Sequence, residues 1–191
     1  MKKLFLPLVT TTLLLAGCAS QPGKQPAASA AVVPAMITPK IELLNSQIKA
    51  NPNDPQTYSN RGYVLALLGQ KEAARADLRK VIELKDNGPM RNRVGWAYFN
   101  NGDYAEAVAQ FEKAAALSEH RARYDYYSLV LGYWGVKDFK KAMENYQLAV
   151  EREPKFGEYK TLQERIAEWT PLEKQAMEEV YILWSKAFKP Q

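Results

Sequence analysis

The chain has 191 residues, 47% of them hydrophobic and 25% charged, with one cysteine and one histidine. This is an ordinary globular composition, long enough for one domain with a packed core. The net charge of +5 includes Lys2 and Lys3 and is otherwise spread along the chain; so mild and dispersed an excess argues against nucleic acid as a partner.

Lys2 and Lys3 precede an apolar run, Leu4 to Leu15, that is too short for a stable bilayer span and ends in small residues. Residues 1–17 therefore read as a signal peptide. Leu15-Ala16-Gly17-Cys18 resembles the bacterial lipobox, which implies that Cys18 is lipidated and becomes the first residue of the mature protein. Under the same resemblance, Ala19 after the cysteine implies sorting to the outer membrane, with the protein facing the periplasm. Several acyl chains make such an anchor stable where one binds only marginally. With a single cysteine no intramolecular disulfide is expected. Residues 18–37 carry Pro22, Pro26 and Pro34 without a helical period and read as a flexible Pro/Ala/Ser tether.

Thr38-Pro39 is a hydroxyl cap followed by proline at a first helical position. Ile41, Leu44 and Ile48 then form one apolar stripe, and Asn51-Pro52-Asn53-Asp54-Pro55 closes the helix. Residues 38–54 read as half of a repeating unit. The unit itself is clearest from Gly95 to Leu117, where Trp96, Tyr98 and Phe99 precede an Asn101-Gly102 turn and Ala107, Phe111 and Ala114 recur at helical spacing. Ala74, Ala107 and Ala142 align at separations of 33 and 35 residues. Around them recur Tyr58, Gly62, Leu65, Gly69 and Leu78 in the first copy, and Tyr126, Tyr133, Phe139, Tyr146, Ala149 and Pro154 in the third. The third copy has Val130 where the others have glycine, and Lys137-Asp138 where they have a turn glycine; Asp138 is placed to cap the next helix. One hairpin of this size cannot bury its apolar faces alone, so stacking of the copies is required.

These residues and this period closely resemble the tetratricopeptide family. The resemblance implies an all-α, right-handed superhelical solenoid of antiparallel helix pairs, with repeats at about 55–87, 88–122 and 123–154. It further implies a concave groove lined by the first helix of each repeat. Mapped onto this chain, the groove positions are Ser59, Asn60, Tyr63 and Leu67; Asn92, Arg93, Trp96, Phe99 and Asn100; and Tyr124, Tyr127, Ser128, Leu131 and Trp134. Such aromatic side chains are enriched at binding hot spots, and Trp96, Phe99, Tyr127 and Trp134 are expected to form an exposed patch. The family's carboxylate clamp is approached only by Arg93, Asn60 and Asn92, which implies an apolar or mixed peptide as ligand.

After Pro154 the repeat pattern stops, but Phe156, Tyr159, Leu162, Ile166 and Trp169 keep helical spacing, and Thr170-Pro171-Leu172-Glu173 is a capping box. Residues 155–191 read as a pair of capping helices. The last is apolar on all sides around Val180 to Trp184, so it packs between its neighbours; Tyr181, Trp184 and Phe188 are the residues through which it would otherwise meet a partner or a second copy.

Chemistry is sparse. His120 follows the second helix of the second repeat, where an imidazole favourably faces the negative helix end. No phosphate loop, HExxH pair or GxSxG elbow occurs, so no catalysis, cofactor or metal is expected. The expected function is that of a lipid-anchored adaptor binding a peptide segment or partner protein in the envelope, for pilus, secretion or cell-wall machinery. Its alternatives are a periplasmic immunity or inhibitor lipoprotein and a self-associating homodimer.

Overall fold

The computed structural model describes residues 33–118 and 125–189. Cys18, His120, Tyr124, the expected signal peptide and most of the expected tether lie outside those residues. The described residues are helical, with no strand. They form α1 (Val33–Ala50), α2 (Pro55–Leu67), α3 (Lys71–Leu84), α4 (Gly88–Asn101), α5 (Tyr104–Leu117), α6 (Asp125–Gly135), α7 (Phe139–Arg152), α8 (Tyr159–Arg165) and α9 (Pro171–Phe188). A 3₁₀ turn, Pro154–Gly157, links α7 to α8. None of these helices is long and apolar enough to cross a membrane.

Helices α2–α3, α4–α5 and α6–α7 are the three antiparallel pairs, and each first helix also packs on its neighbours along the stack. Local chemistry sets their ends. Asp54 caps α2 by accepting from Gln56 N at 3.1 Å, with Pro55 in the first turn, and Asn87 caps α4 by accepting from Met90 N at 3.0 Å. Gly69 (φ 70°) and Gly102 (φ 81°) make the first two interhelical turns. In the third, Lys137 itself adopts φ 65°, a left-handed conformation disfavoured for a residue with a Cβ, and its Nζ lies 4.5 Å from the Trp134 ring centroid. Asp138 then accepts from Lys141 N at 3.1 Å, providing the expected cap.

Close packing rests on missing side chains. A Cβ on Gly62 would meet Leu78 at 2.9 Å, and one on Gly95 would meet Phe111 at 2.4 Å. Gly132 approaches the same Phe111 ring from α6, so this buried side chain is held between two glycine-bearing helices. Gly135 serves Tyr104 in the same way. Part-buried ion pairs add to this packing: within the first pair Arg61 donates to both oxygens of Asp77 at 2.7 Å, and between the first and second pairs Arg75 donates to Asp103 through Nε at 2.9 Å and through Nη2.

The start of α1 differs from expectation. It begins at Val33, not at Thr38-Pro39, so residues 33–37 are helix and not tether. Pro34 falls in the first turn, where a missing N–H costs nothing, and the helix continues through Pro39.

Candidate functional site

The concave face of α2, α4 and α6 is divided. Its C-terminal part is filled by the chain itself. Helix α9 packs against α6 and α7, and its N-terminal end reaches back to α4 and α2. Thr170 and Glu173 form the reciprocal capping box, and the same Glu173 carboxylate accepts from Asn100 Nδ2 at 2.6 Å and from Tyr63 Oη at 3.5 Å. Asn100 in turn accepts from Thr170 Oγ1 at 3.2 Å. Trp169 stands edge-on to Trp96 with ring centroids 4.9 Å apart, and Trp134 Nε1 donates to Glu179 at 2.7 Å.

The expected aromatic patch is therefore corrected. Phe99 is fully buried against Tyr104 and Trp134, and Tyr127 packs on Phe156 at 4.7 Å. Leu131 and Trp134 are buried as well. Phe99 is thus enclosed within the repeats themselves, while Tyr127 is covered by the 3₁₀ turn after α7 and Trp134 meets α9. Trp96 alone of the expected patch stays half-buried, with Nε1 donating to Ser128 at 3.0 Å; Ser128 donates on to Asn92 at 2.6 Å, which occupies that amide. Of the terminal aromatics, Tyr181 and Trp184 are buried against Tyr146, and Trp184 Nε1 donates to Gln147 at 2.7 Å. They serve the core, as the all-apolar sequence of this helix suggested, and not a second interface. Phe188 is 45% exposed.

The N-terminal part of the groove is open. Between α1, α2 and α4 lies a cavity of about 520 Å³. Leu43, Leu44, Val64, Tyr63 and Trp96 give it apolar walls, Ser59, Asn60 and Gln47 add neutral polar groups, and Lys40 and Arg93 bring positive charge. Arg93 faces amides, with Nη2 donating to Asn60 Oδ1 at 3.2 Å and the Gln56 amide alongside. Among the described residues neither Lys40 nor Arg93 has a carboxylate partner. Burial pushes the Tyr63 phenol up to about 12, and the Glu173 charge and hydrogen bond add to that. Asn60, Tyr63, Arg93 and Trp96 thus line one cavity.

The α1 contribution was missed. Lys40, Leu43 and Gln47 flank the Ile41, Leu44 and Ile48 stripe at helical spacing, which is the signal that places them on the groove side. No group of His, Cys, Asp or Glu among the described residues is arranged to hold a metal ion.

The tetratricopeptide repeat model matches residues 55–87, 91–121 and 126–156. Small glutamine-rich tetratricopeptide repeat-containing protein 2 of Mycosarcoma maydis is 34% identical over 74 residues, 38% of this chain and 21% of that protein. Tetratricopeptide repeat protein 13 of Homo sapiens is 28% identical over 125 residues, 62% of this chain and 14% of that protein. The chain thus spans about a fifth or less of the length of these curated relatives. MamA residues 41 to the end, from Desulfovibrio magneticus RS-1, superimposes with a TM-score of 0.53 at 20% identity over 81% of this chain and 88% of that chain. A further crystal structure of MamA gives 0.53 at 21% identity over 81% and 91%. At such identity the likeness concerns the fold.

Proposed function

Because the chain carries three tetratricopeptide repeats, we propose that it is a protein-binding adaptor whose open cavity between α1, α2 and α4 holds a segment of a partner protein. The cavity carries this reading: it keeps Trp96, Leu43 and Tyr63 together in a space of about 520 Å³ at a part of the concave face that the described residues leave open. Apolar walls with a few convergent polar groups are the usual make-up of a binding site. Lys40 and Arg93 at the rim add orientation to the bound segment.

The leader and the Leu15-Ala16-Gly17-Cys18 sequence support a lipid anchor at the outer membrane, facing the periplasm. The partner is then another envelope protein, and the adaptor assembles or localises a complex such as pilus, secretion or cell-wall machinery. Confinement at the membrane raises the effective concentration of such a partner, so a modest affinity suffices.

The test is site-specific photo-crosslinking in cells. A photoreactive residue at Leu43 or Gln47 captures the same defined partner, while one at Leu148, which is exposed on α7, does not. Equal capture from all three sites, or capture from Leu148 alone, overturns the reading.

A further inference from the structure

We infer that the occupant of the open cavity is an acidic amphipathic segment of the partner, with an aliphatic side chain seated on Leu43, Leu44 and Trp96 and a neighbouring carboxylate held by Lys40 and Arg93. The inference rests on the adaptor reading above.

The filled part of the same groove shows how this surface is satisfied. Each of its principal side-chain donors meets a carboxylate from one amphipathic helix: Asn100 meets Glu173 at 2.6 Å and Trp134 meets Glu179 at 2.7 Å. The apolar side chains of that helix, Ala176, Met177 and Val180, are fully buried. The open part repeats the arrangement with none of the described residues as its occupant: an apolar floor, donors at the rim, and no acidic residue among the side chains that line it. Its donors are stronger than those of the filled part, being full cations and not an amide and an indole. A positive rim without internal carboxylates favours an anionic partner and disfavours a cationic one. A guanidinium presents a fork that suits a carboxylate, and the flexible ammonium can add to it as a point charge.

The chain's own tether does not fit this rim. Residues 19–32, which precede α1, hold Lys24 as their sole charged side chain, so they bring the wrong sign. The segment must come from elsewhere and needs a single well-placed carboxylate among aliphatic residues, not an acidic run.

The experiment uses the full chain in non-ionic detergent and three fluorescein-labelled helical peptides. The peptides share a pair of leucines one turn apart and differ only in two flanking positions, which carry glutamate, glutamine or lysine. Fluorescence anisotropy is expected to show the glutamate peptide binding at least about tenfold more tightly than the glutamine peptide, with the lysine peptide weakest. Lys40→Glu with Arg93→Glu, both at exposed positions, reverses the order of the glutamate and lysine peptides, with circular dichroism unchanged. Leu43→Asp weakens all three. Equal affinity for the glutamate and glutamine peptides, lost on Leu43→Asp, overturns the acidic occupant while leaving the cavity as the binding site. Binding insensitive to Leu43→Asp, or no binding by any peptide, overturns the acidic segment, and the photo-crosslinks then judge the adaptor reading separately. Concentration-dependent dimerisation that is abolished by Leu43→Asp makes a second copy the occupant and also overturns it.

Discussion

Substituting Gly95 by alanine tests how the stack is held together. The added Cβ would stand 2.4 Å from Phe111 Cε1, 2.5 Å from Cδ1 and 3.0 Å from Cζ. Carbon atoms in contact prefer about 3.5–4.0 Å, so the ring has to retreat by about an ångström. It has little room to do so. Phe111 is 1% exposed, Trp96 stands edge-on to it at 6.4 Å, and the α6 backbone at Gly132 closes its far edge, where a Cβ would lie 3.0 Å from Cδ2. Overpacking of this kind costs about 1–3 kcal/mol, and a ring confined on both edges puts the cost near the top of that range. Alanine returns about 1 kcal/mol through helix propensity, which leaves a net loss of about 2 kcal/mol. Urea unfolding followed by far-ultraviolet circular dichroism measures it. Phe111→Leu in the Gly95→Ala background relieves the clash, so the two effects are less than additive. A Gly95→Ala protein as stable as the parent, or strictly additive effects of the pair, would refute the packing argument.

Asp103 offers a pH test. The hydrogen bonds from Arg75 hold its carboxyl below the usual carboxylate range, with Asn101 adding to the effect against desolvation. Its contribution to stability is therefore present above the unfolded-state value, about 3.9, and is lost as pH falls through the lower folded-state value; Asp103→Asn is less stable at neutral pH and flatter in its acid dependence, and an unchanged acid limb in the unfolding midpoint would count against this. Glu173→Ala removes the reciprocal cap and the acceptor of Asn100, and together these are worth about 1–3 kcal/mol. Amides around Trp169 to Glu173 should then exchange hydrogen at least about tenfold faster while α4 and α5 stay protected; unaltered exchange there would mean that the contact holds nothing in place. Tyr63, labelled at its ring carbon, is expected to titrate near 12 in the intact chain. In Glu173→Gln it should move down, and titration at the ordinary value of 10.0 in the parent would show that the groove wall is solvated.

The repeats were legible because their signals are local. Gly62, Gly95 and the aligned Ala74, Ala107 and Ala142 mark close helix approach, and the Asn101-Gly102 turn and the Thr170 capping box name their own backbone geometry. Lys137 shows the limit of this code: packing around Trp134 carries a left-handed turn without glycine. The groove was half legible. Repeat position places Tyr127 and Trp134 on a groove helix, but what meets them, Phe156 and Glu179, lies tens of positions away in sequence, and no spacing within the repeat encodes that. Glu173 illustrates the same point: the sequence shows it as a capping residue, and only the fold brings Asn100 and Tyr63 to its other side. Lys40 and Leu43 were passed over because the stripe beside them, Ile41, Leu44 and Ile48, explains α1 as a packed helix without asking what its flank faces.

The division of the groove into a filled and an open part is the claim on which the functional reading depends, and the four tryptophans of the chain report on it directly. Hydrogen exchange at the Trp134 indole, followed by two-dimensional nuclear magnetic resonance, is the measurement to make. With Nε1 donating to Glu179 beneath α9 and the side chain 5% exposed, that indole should be protected to the level of the neighbouring core amides. Exchange at the rate of a free indole would mean that the C-terminal helix does not lie in the groove, and that the binding surface is the whole concave face.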